Sequence, residues 1–408
     1  MEITYIYADN PHEENCTKWN CFYPAESVNR TGVHHANIMH VNQFSQNTAE
    51  VQAMCNKSDI LIIERNLFGD VLTFMQYWRI RNKTILAIFD DGYDCMTEDN
   101  PAYAFWHRNE IKVVPDNIAN RTLNQMHSQK QNHVLWNNIP MDERDKMIAL
   151  SSSMFEGKIP MGPETKVSDI PFMDQFKWGL KIAKGIQVPS KRLSDDWKKY
   201  NKTYFIHNYL DIKQYMNVEP LIGHDDIFIG WCGSLTHLPS FVQSGAAEAV
   251  KNIITKYNNV RLLIGGDKKV FDAIDIPEDK KIFQKYVPHE QWTSLLKSVD
   301  IGLAPLATVY DRRRSWIKAL EYMALKIPWI ASDFPPYKEL QEYGKIVQNS
   351  VASWENALAD MIDNLQDYRD KAAAEPYDFA LTQTTDKNIL KTIELYQKII
   401  DTPYKWMD

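Results

Sequence analysis

The chain has 408 residues, 44% of them hydrophobic, enough apolar side chain for two or three domains with cores of their own. Its 46 Lys and Arg against 53 Asp and Glu leave a formal net charge of −7, so the general cationic field that draws proteins to nucleic acid is absent. No stretch approaches the roughly 18–20 apolar residues of a membrane span, and the first residues, MEITYIYADN, lack a basic leader. Cys16, Cys21, Cys55, Cys95 and Cys232 are odd in number and scattered without CxxC spacing. That argues against a disulfide framework or zinc cluster and points to a reducing cytoplasm.

In chain order, short β-type runs come first: ITYIYA (3–8), HANIMH (35–40), DILIIE (59–64) and TILAIFD (84–90). Between the last two, the segment 69–81 places Val71, Leu72, Met75 and Trp78 at helical spacing. Strand–helix alternation of this kind predicts a parallel, doubly wound sheet. From about 99 to 174 Asn, Gln, His and Met dominate, and helices with long loops are expected there as an insertion. GLKIAKGIQVPS (179–190) and KTYFIHNYLD (202–211) read as strand-like runs around a short polar helix, and MNVEPLIGHDD reads as a linker.

The second half repeats the pattern, with strand candidates at 227–233, 260–266, 281–287, 301–306, 328–333 and 344–349. The expected organisation is an α/β chain of two Rossmann-like, doubly wound parallel-sheet domains facing a cleft. These are a first domain over 1–215, a second over 224–375, and a C-terminal helix in 376–408 packing back toward the first. Ligands of such sheets sit beyond the carboxyl ends of the strands.

The most informative segment is ATVYDRRRSWIKALEYMALK, which predicts a helix from about Arg312 to Lys326 with Asp311 as its cap. At 100° per residue Arg314, Lys318 and Glu321 share a narrow arc, and Ile317, Leu320 and Ala324 form an apolar stripe. Three arginines in a first helical turn oppose the helix dipole, at about 0.3–1 kcal/mol each when exposed. A bound phosphate would reverse that sign, because backbone N–H groups, the Ser315 hydroxyl, Arg314 and Lys318 would converge on it. The plain alternative is a solvated face with a Lys318–Glu321 helix pair.

The run RRRSWIKALEYMALKIPWIASDFPPYKEL (312–340) resembles the donor-binding segment of retaining glycosyltransferases of family GT4, which have the GT-B fold, and is nearest a bacterial and phage-type subgroup. IFIGWCGSLTHL (227–238) and KSVDIGLAPL (297–306) extend the likeness over most of the second domain. IFDDGYDCMTEDNPAY (88–103), VPSKRL (188–193) and IHNYLD (206–211) carry it faintly into the first. The resemblance implies a nucleoside-diphosphate sugar, UDP- or GDP-linked, bound mainly by the second domain, and a hydroxyl acceptor bound mainly by the first. It implies no obligatory metal or other cofactor. Arg314 stands where the subgroup usually has Lys; Ser315 and Lys318 match, and all three would hold the diphosphate. Glu321 matches the glutamate at the nucleotide ribose, where a carboxylate accepts from two vicinal hydroxyls. The broader family often has a further glutamate eight positions earlier, where this chain has Arg313, and glycines where it has Phe334, Pro335 and Pro336.

Gly233, Ser234 and His237 follow a predicted strand and, with the resemblance, join the donor site; a turn with a cap is the alternative. Gly265 and Gly266 read as a structural strand-end turn. Asp90, Asp91 and Asp94 follow the fourth strand on the acceptor side. They could bind acceptor hydroxyls, supply a base (Asp91 foremost) or hold a divalent cation, with an Asx-type turn as the plain reading. The alternatives to a transferase are a sugar-nucleotide epimerase of the same architecture, a binding module descended from a transferase, and a metal-dependent transferase of the other main fold. Partners follow from this reading: the sugar nucleotide, the acceptor, and peripheral association with a membrane or glycan. A modified base in phage DNA is an acceptor to which the net charge gives no support.

Overall fold

The computed structural model describes residues 1–11, 15–98, 100, 102–107, 139–154 and 171–404. The chain divides into two compact units, with the division between Ile206 and His207; Ile389–Asp408 rejoins the first unit and His207–Asn388 forms most of the second.

Among the described residues the first unit carries six parallel strands: β1 (Glu2–Tyr7), β2 (His35–His40), β3 (Ile60–Glu64), β4 (Thr84–Ile88), β5 (Gly185–Val188) and β6 (Thr203–Phe205). Their order is β2-β1-β3-β4-β5-β6. The central strands ILIIE and TILAI are buried at every position, as continuous apolar runs must be when helices cover both sheet faces, whereas β2 and β6 at the edges are partly exposed. Helix α1 (Tyr23–Arg30) puts Ala25 and Val28 against Ile3, Tyr5, Ile60, Ile62, Leu86 and Ile88. The same core takes Ile389, Ile393, Tyr396 and Ile399 from the C-terminal helix Thr385–Asp401, at one-turn spacing along one face. The Tyr396 hydroxyl donates to Gln187 Oε1 at 2.9 Å and pins that helix to β5.

Three readings of this half change. Helix α2 (Asp70–Ile80) is buried on all sides from Asp70 to Arg79, not along a single stripe, because helix Met141–Met154 and helix α3 (Phe172–Ile182) pack beside it. The run 179–190 is not one strand: residues up to Ile182 end α3, and only Gly185–Val188 pairs with the sheet. Likewise only Thr203–Phe205 of 202–211 is strand. Within the expected insertion 99–174, helices Tyr103–His107 and Met141–Met154 and the start of α3 are described; the rest of that reading lies outside the described residues.

The second unit repeats the parallel architecture with β7 (Ile227–Gly233), β8 (Val260–Gly266), β9 (Lys281–Lys285), β10 (Ile301–Ala304), β11 (Trp329–Ser332) and β12 (Lys345–Val347). Their order is β12-β11-β10-β7-β8-β9. Its core joins Ile229, Trp231, Leu262 and Ile264 to Val250 and Ile253 of α4 (Ala246–Lys256) and to Trp354 and Leu358 of a later helix, Val351–Asp363. Strands β7 and β8 end together, and there Gly266 has φ +121° while a Cβ on it would collide with the Gly233 carbonyl oxygen. Glycine is therefore required for backbone reasons, and Gly265, whose Cβ would strike Cys232 Sγ, is likewise structural. Gly266→Ala is expected to cost at least about 2 kcal/mol of unfolding free energy, measured by urea denaturation.

Candidate functional site

In the second unit β7–β9 build the sheet in one direction and β10–β12 in the other, so β7 and β10 meet at the topological switch point. Crevices outside the carboxyl ends of strands at such a point are the ligand sites of open α/β sheets. Two chain segments leave the sheet there. After β7 come Ser234 and a 3-10 turn, Leu235–His237; after β10 a loop leads to a second 3-10 turn, Tyr310–Arg313. Helix α5 (Ile317–Ala324) follows.

The continuous helix expected from Arg312 to Lys326 is thus divided. Arg314 is extended (φ −65°, ψ 163°) and separates the 3-10 turn from α5. The cause is Asp311, which caps nothing. Its fully buried carboxylate accepts from the Ser240 hydroxyl at 2.6 Å, the Thr308 hydroxyl at 2.9 Å and the N–H groups of Ala307 and Thr308 at 3.0 and 2.9 Å. Arg314 Nε donates to it at 3.0 Å. A carboxylate without water needs its lone pairs filled, and the loop 307–314 folds around that demand. Burial alone would raise the Asp311 pKa; the Arg314 guanidinium and these donors outweigh it and hold the carboxyl below its ordinary value.

The arginine triplet is also resolved differently. Arg312 is exposed, with its guanidinium 5.5 Å from the Phe334 ring centre, and the buried Arg313 donates to the Val309 carbonyl at 2.7 Å. Arg314 alone turns toward β7, where its NH1 meets His237 Nε2 at 3.0 Å. A guanidinium only donates, so Nε2 accepts and the imidazole proton resides on Nδ1. Burial, then the charges of Arg314 and Lys318, push the His237 pKa well below its usual value, so the ring is a neutral donor through Nδ1.

Lys318, in the first turn of α5, donates from Nζ to the Cys232 carbonyl at the end of β7 and lies 5.4 Å from the Trp231 ring centre. Burial lowers its pKa, and the charge of Glu321 opposes the shift. Glu321 is itself buried, and its Oε1 accepts from the Tyr215 hydroxyl at 2.9 Å and from Trp292 Nε1 at 2.8 Å. Burial raises the Glu321 pKa, with Lys318, Trp292 and Tyr215 pulling it back. At the start of α5 the capping position is Trp316, whose indole donates instead to the Asn208 carbonyl at 3.1 Å, so no side chain caps the helix. First-turn N–H groups, the flanking Ser315, Arg314, Lys318 and His237 form a cationic, donor-rich cluster suited to a diphosphate. Ser234 contributes less: its hydroxyl is bonded to that of Thr236 at 2.7 Å in a local turn. The Cys232 thiol is pushed up to about 12 by burial and is no nucleophile at neutral pH.

In the first unit the switch point lies between β1 and β3. Asp90, at the end of the neighbouring β4, is buried, and the Tyr93 hydroxyl donates to it at 3.4 Å; Asp91 and Asp94 are half-buried, with Asp94 4.0 Å from Lys199. The sequence reading missed Glu64, Arg65 and Asp9. Glu64 ends β3 fully buried and accepts from the Ala8 N–H at 3.0 Å, the Thr17 hydroxyl at 2.6 Å and Asn20 Nδ2 at 3.0 Å, tying β3 to the loop after β1. Burial pushes its pKa up to about 7 against those donors, with the Asp90 charge adding to the rise. Arg65 has a left-handed φ of 28° and pairs with Asp9. The available signal was an ionisable pair closing the apolar run ILII. Among the described residues no group of three His, Cys, Asp or Glu has the geometry of a metal site.

Residues 227–365 match the family model described as Glycosyl transferases group 1. The matched stretch falls within the second unit, and Gly233, His237, Arg314, Lys318 and Glu321 all lie inside it. No curated protein matches the sequence. Solved structures do resemble it. Sucrose-phosphate synthase from Thermosynechococcus elongatus has a TM-score of 0.54 at 10% identity, with 98% of this chain and 99% of that chain covered. Anabaena Alr3699/HepE in complex with UDP has a TM-score of 0.55 at 10% identity, covering 98% and 100%. At such identities the likeness establishes the fold, two Rossmann-like parallel-sheet units of the GT-B type.

Proposed function

We propose that this protein is a glycosyltransferase that moves a sugar from a nucleoside-diphosphate sugar to a hydroxyl acceptor, with retention of anomeric configuration and in the manner of family GT4. The observation that carries the reading is the convergence of Arg314, Lys318, His237 and the uncapped start of α5 at the switch point of the second unit's sheet, within the stretch that matches the family model. Breaking a glycosidic bond to a diphosphate builds negative charge on the departing phosphate and oxocarbenium character at the anomeric carbon. Fixed donors at the diphosphate then stabilise the transition state more than the ground state. Arg314 and Lys318 supply charge, His237 Nδ1 a neutral hydrogen bond, and Ser315 a hydroxyl. With the cations held, a departing phosphate oxygen takes the acceptor proton on the same face, the route to retention.

Glu321 is the ribose ligand in this reading. With Oε1 occupied by Tyr215 and Trp292, Oε2 is left to accept from the vicinal hydroxyls. Glu321→Gln is expected to raise KM for the sugar nucleotide about tenfold with a smaller change in kcat, and Tyr215→Phe to move KM the same way by less, since one of two orienting bonds remains. Steady-state kinetics at several donor concentrations checks both.

UDP is the favoured diphosphate by analogy with the Anabaena protein, with GDP the alternative. Asp90, Asp91 and Asp94, with Glu64 and Arg65 beside them, are the proposed acceptor side, and the five free cysteines fit a cytoplasmic enzyme of bacterial or phage origin. A panel of sugar nucleotides, scored for released diphosphate with and without candidate hydroxyl acceptors, tests the whole reading. Acceptor-dependent release supports it; donor turnover without acceptor would favour an epimerase, and diphosphate binding without turnover a binding module.

A further inference from the structure

Toward the amino-terminal edge of the first unit's sheet lies a second cationic feature, whose one link to the proposed acceptor side among the described residues is the Lys199–Asp94 pair. A cavity of about 620 Å³ is lined by Arg79, Lys181, Lys184, Lys198, Lys199 and Lys202, and among the described residues no Asp or Glu lines it. Lys184 immediately precedes β5, Lys202 immediately precedes β6, and the Tyr404 ring in its wall accepts through its hydroxyl from the Ile85 N–H near the start of β4 at 3.2 Å. Asp90 and Glu64 lie at the other ends of these parallel strands. In a chain of net charge −7, six cations around one cavity are a local inversion of sign.

Part of this ring is rigidly built. Lys184 Nζ donates to the Ile400 carbonyl at 2.7 Å and to the Thr84 hydroxyl at 3.4 Å, and Arg79 donates to the Ile182 carbonyl with its guanidinium 3.7 Å from the Tyr404 ring centre. Burial lowers the Lys184 pKa; Asp401 opposes that and the Arg79 charge adds to it. Burial also pushes Arg79 down to about 9. Of the outer cations, Lys198 pairs with Asp195 at 3.3 Å and Lys199 with Asp94 at 4.0 Å. Lys181 and Lys202 are exposed, and among the described residues neither has a carboxylate at ion-pair distance. An anion of more than one charge would complement this set of cations. Ammonium groups arranged as point charges around a cavity suit phosphate, and the volume falls in the roughly 300–1,000 Å³ range of small-ligand sites.

We propose that this cavity binds the phosphate group of a phosphate-bearing ligand, at a site independent of Arg314 and Lys318. The same chemistry can come from a soluble phosphorylated molecule or from a phosphomonoester lipid headgroup. The test uses the full chain and the exposed pair, in the variant K181E/K202E, with thermal unfolding read alongside because Lys202 lies 5.2 Å from the Tyr204 ring centre. Calorimetric titration with inorganic pyrophosphate at low salt is expected to show a component weakened at least tenfold in K181E/K202E and retained in Lys318→Ala. Cosedimentation with phosphatidylcholine vesicles, with and without phosphatidic acid, separates the sources. Retention on phosphatidic acid vesicles that is lost in K181E/K202E supports the site with a lipid ligand. Pyrophosphate binding without vesicle retention supports it with a soluble one. Equal behaviour of K181E/K202E and the parent chain in both assays overturns the proposal, whatever the sugar-nucleotide panel shows.

Discussion

Lys318→Ala is expected to lower kcat/KM for sugar transfer by about 10²–10³-fold, the usual loss when one preorganised donor to a developing anion is removed. Lys318 is placed for this by three constraints: its position in the first turn of α5, the Cys232 carbonyl that its ammonium meets, and the Trp231 ring beside it. Its charge is also costly to keep, since burial lowers its pKa and the charge of Glu321 opposes that shift without cancelling it. A purely structural lysine would give the opposite pattern on truncation, with a lower Tm and near-normal turnover. Kinetics and thermal unfolding of the same preparation therefore decide the matter: large loss of turnover with Tm within a few degrees supports the assignment, and near-normal turnover removes it.

Asp311→Ala is expected to cost about 3–5 kcal/mol of unfolding free energy near pH 7, because it strands Arg314 and leaves the donors of Ser240, Ala307 and Thr308 facing a void. The pH dependence has a definite sign. The folded-state pKa of Asp311 lies below its ordinary 3.8, so its contribution is fully present above the unfolded value and is lost as pH falls through the folded one. The stability gap between parent and variant should stay constant from about pH 5 to 8 and shrink below about pH 4. Urea unfolding across that range measures it; a gap that widened on acidification would contradict the placement of the charge. Diphosphate binding should fall as well, since Arg314 loses the carboxylate that orients it.

The alternation of strand and helix was readable because parallel strands covered on both faces must be apolar throughout, and ILIIE and TILAI show this without any three-dimensional information. Lys318 and Glu321 were readable for a similar local reason: they lie three residues apart on one helix, and the helical period alone brings them to one face. The expectation of Arg314 in the first helical turn does not hold, since it stands before the helix in extended conformation. Asp311 looked like a cap because a cap is the commonest local role for Asp before a helix, yet its partner Ser240 lies 71 residues away.

What the amino-acid order determined by itself was the class of fold, the parallel sheets, and the polar arc of α5, all set by periodicity over a few residues. The tertiary structure decided which of three arginines faces β7, the neutral Nδ1–H form of His237, the hold of Tyr215 and Trp292 on Glu321, and the buried Glu64 that ties β3 to the loop after β1. Each of these depends on groups separated by 29 to 106 residues meeting away from water. Burial sets their charge states and hydrogen-bond demands, and it arises only when the sheet order brings distant segments together.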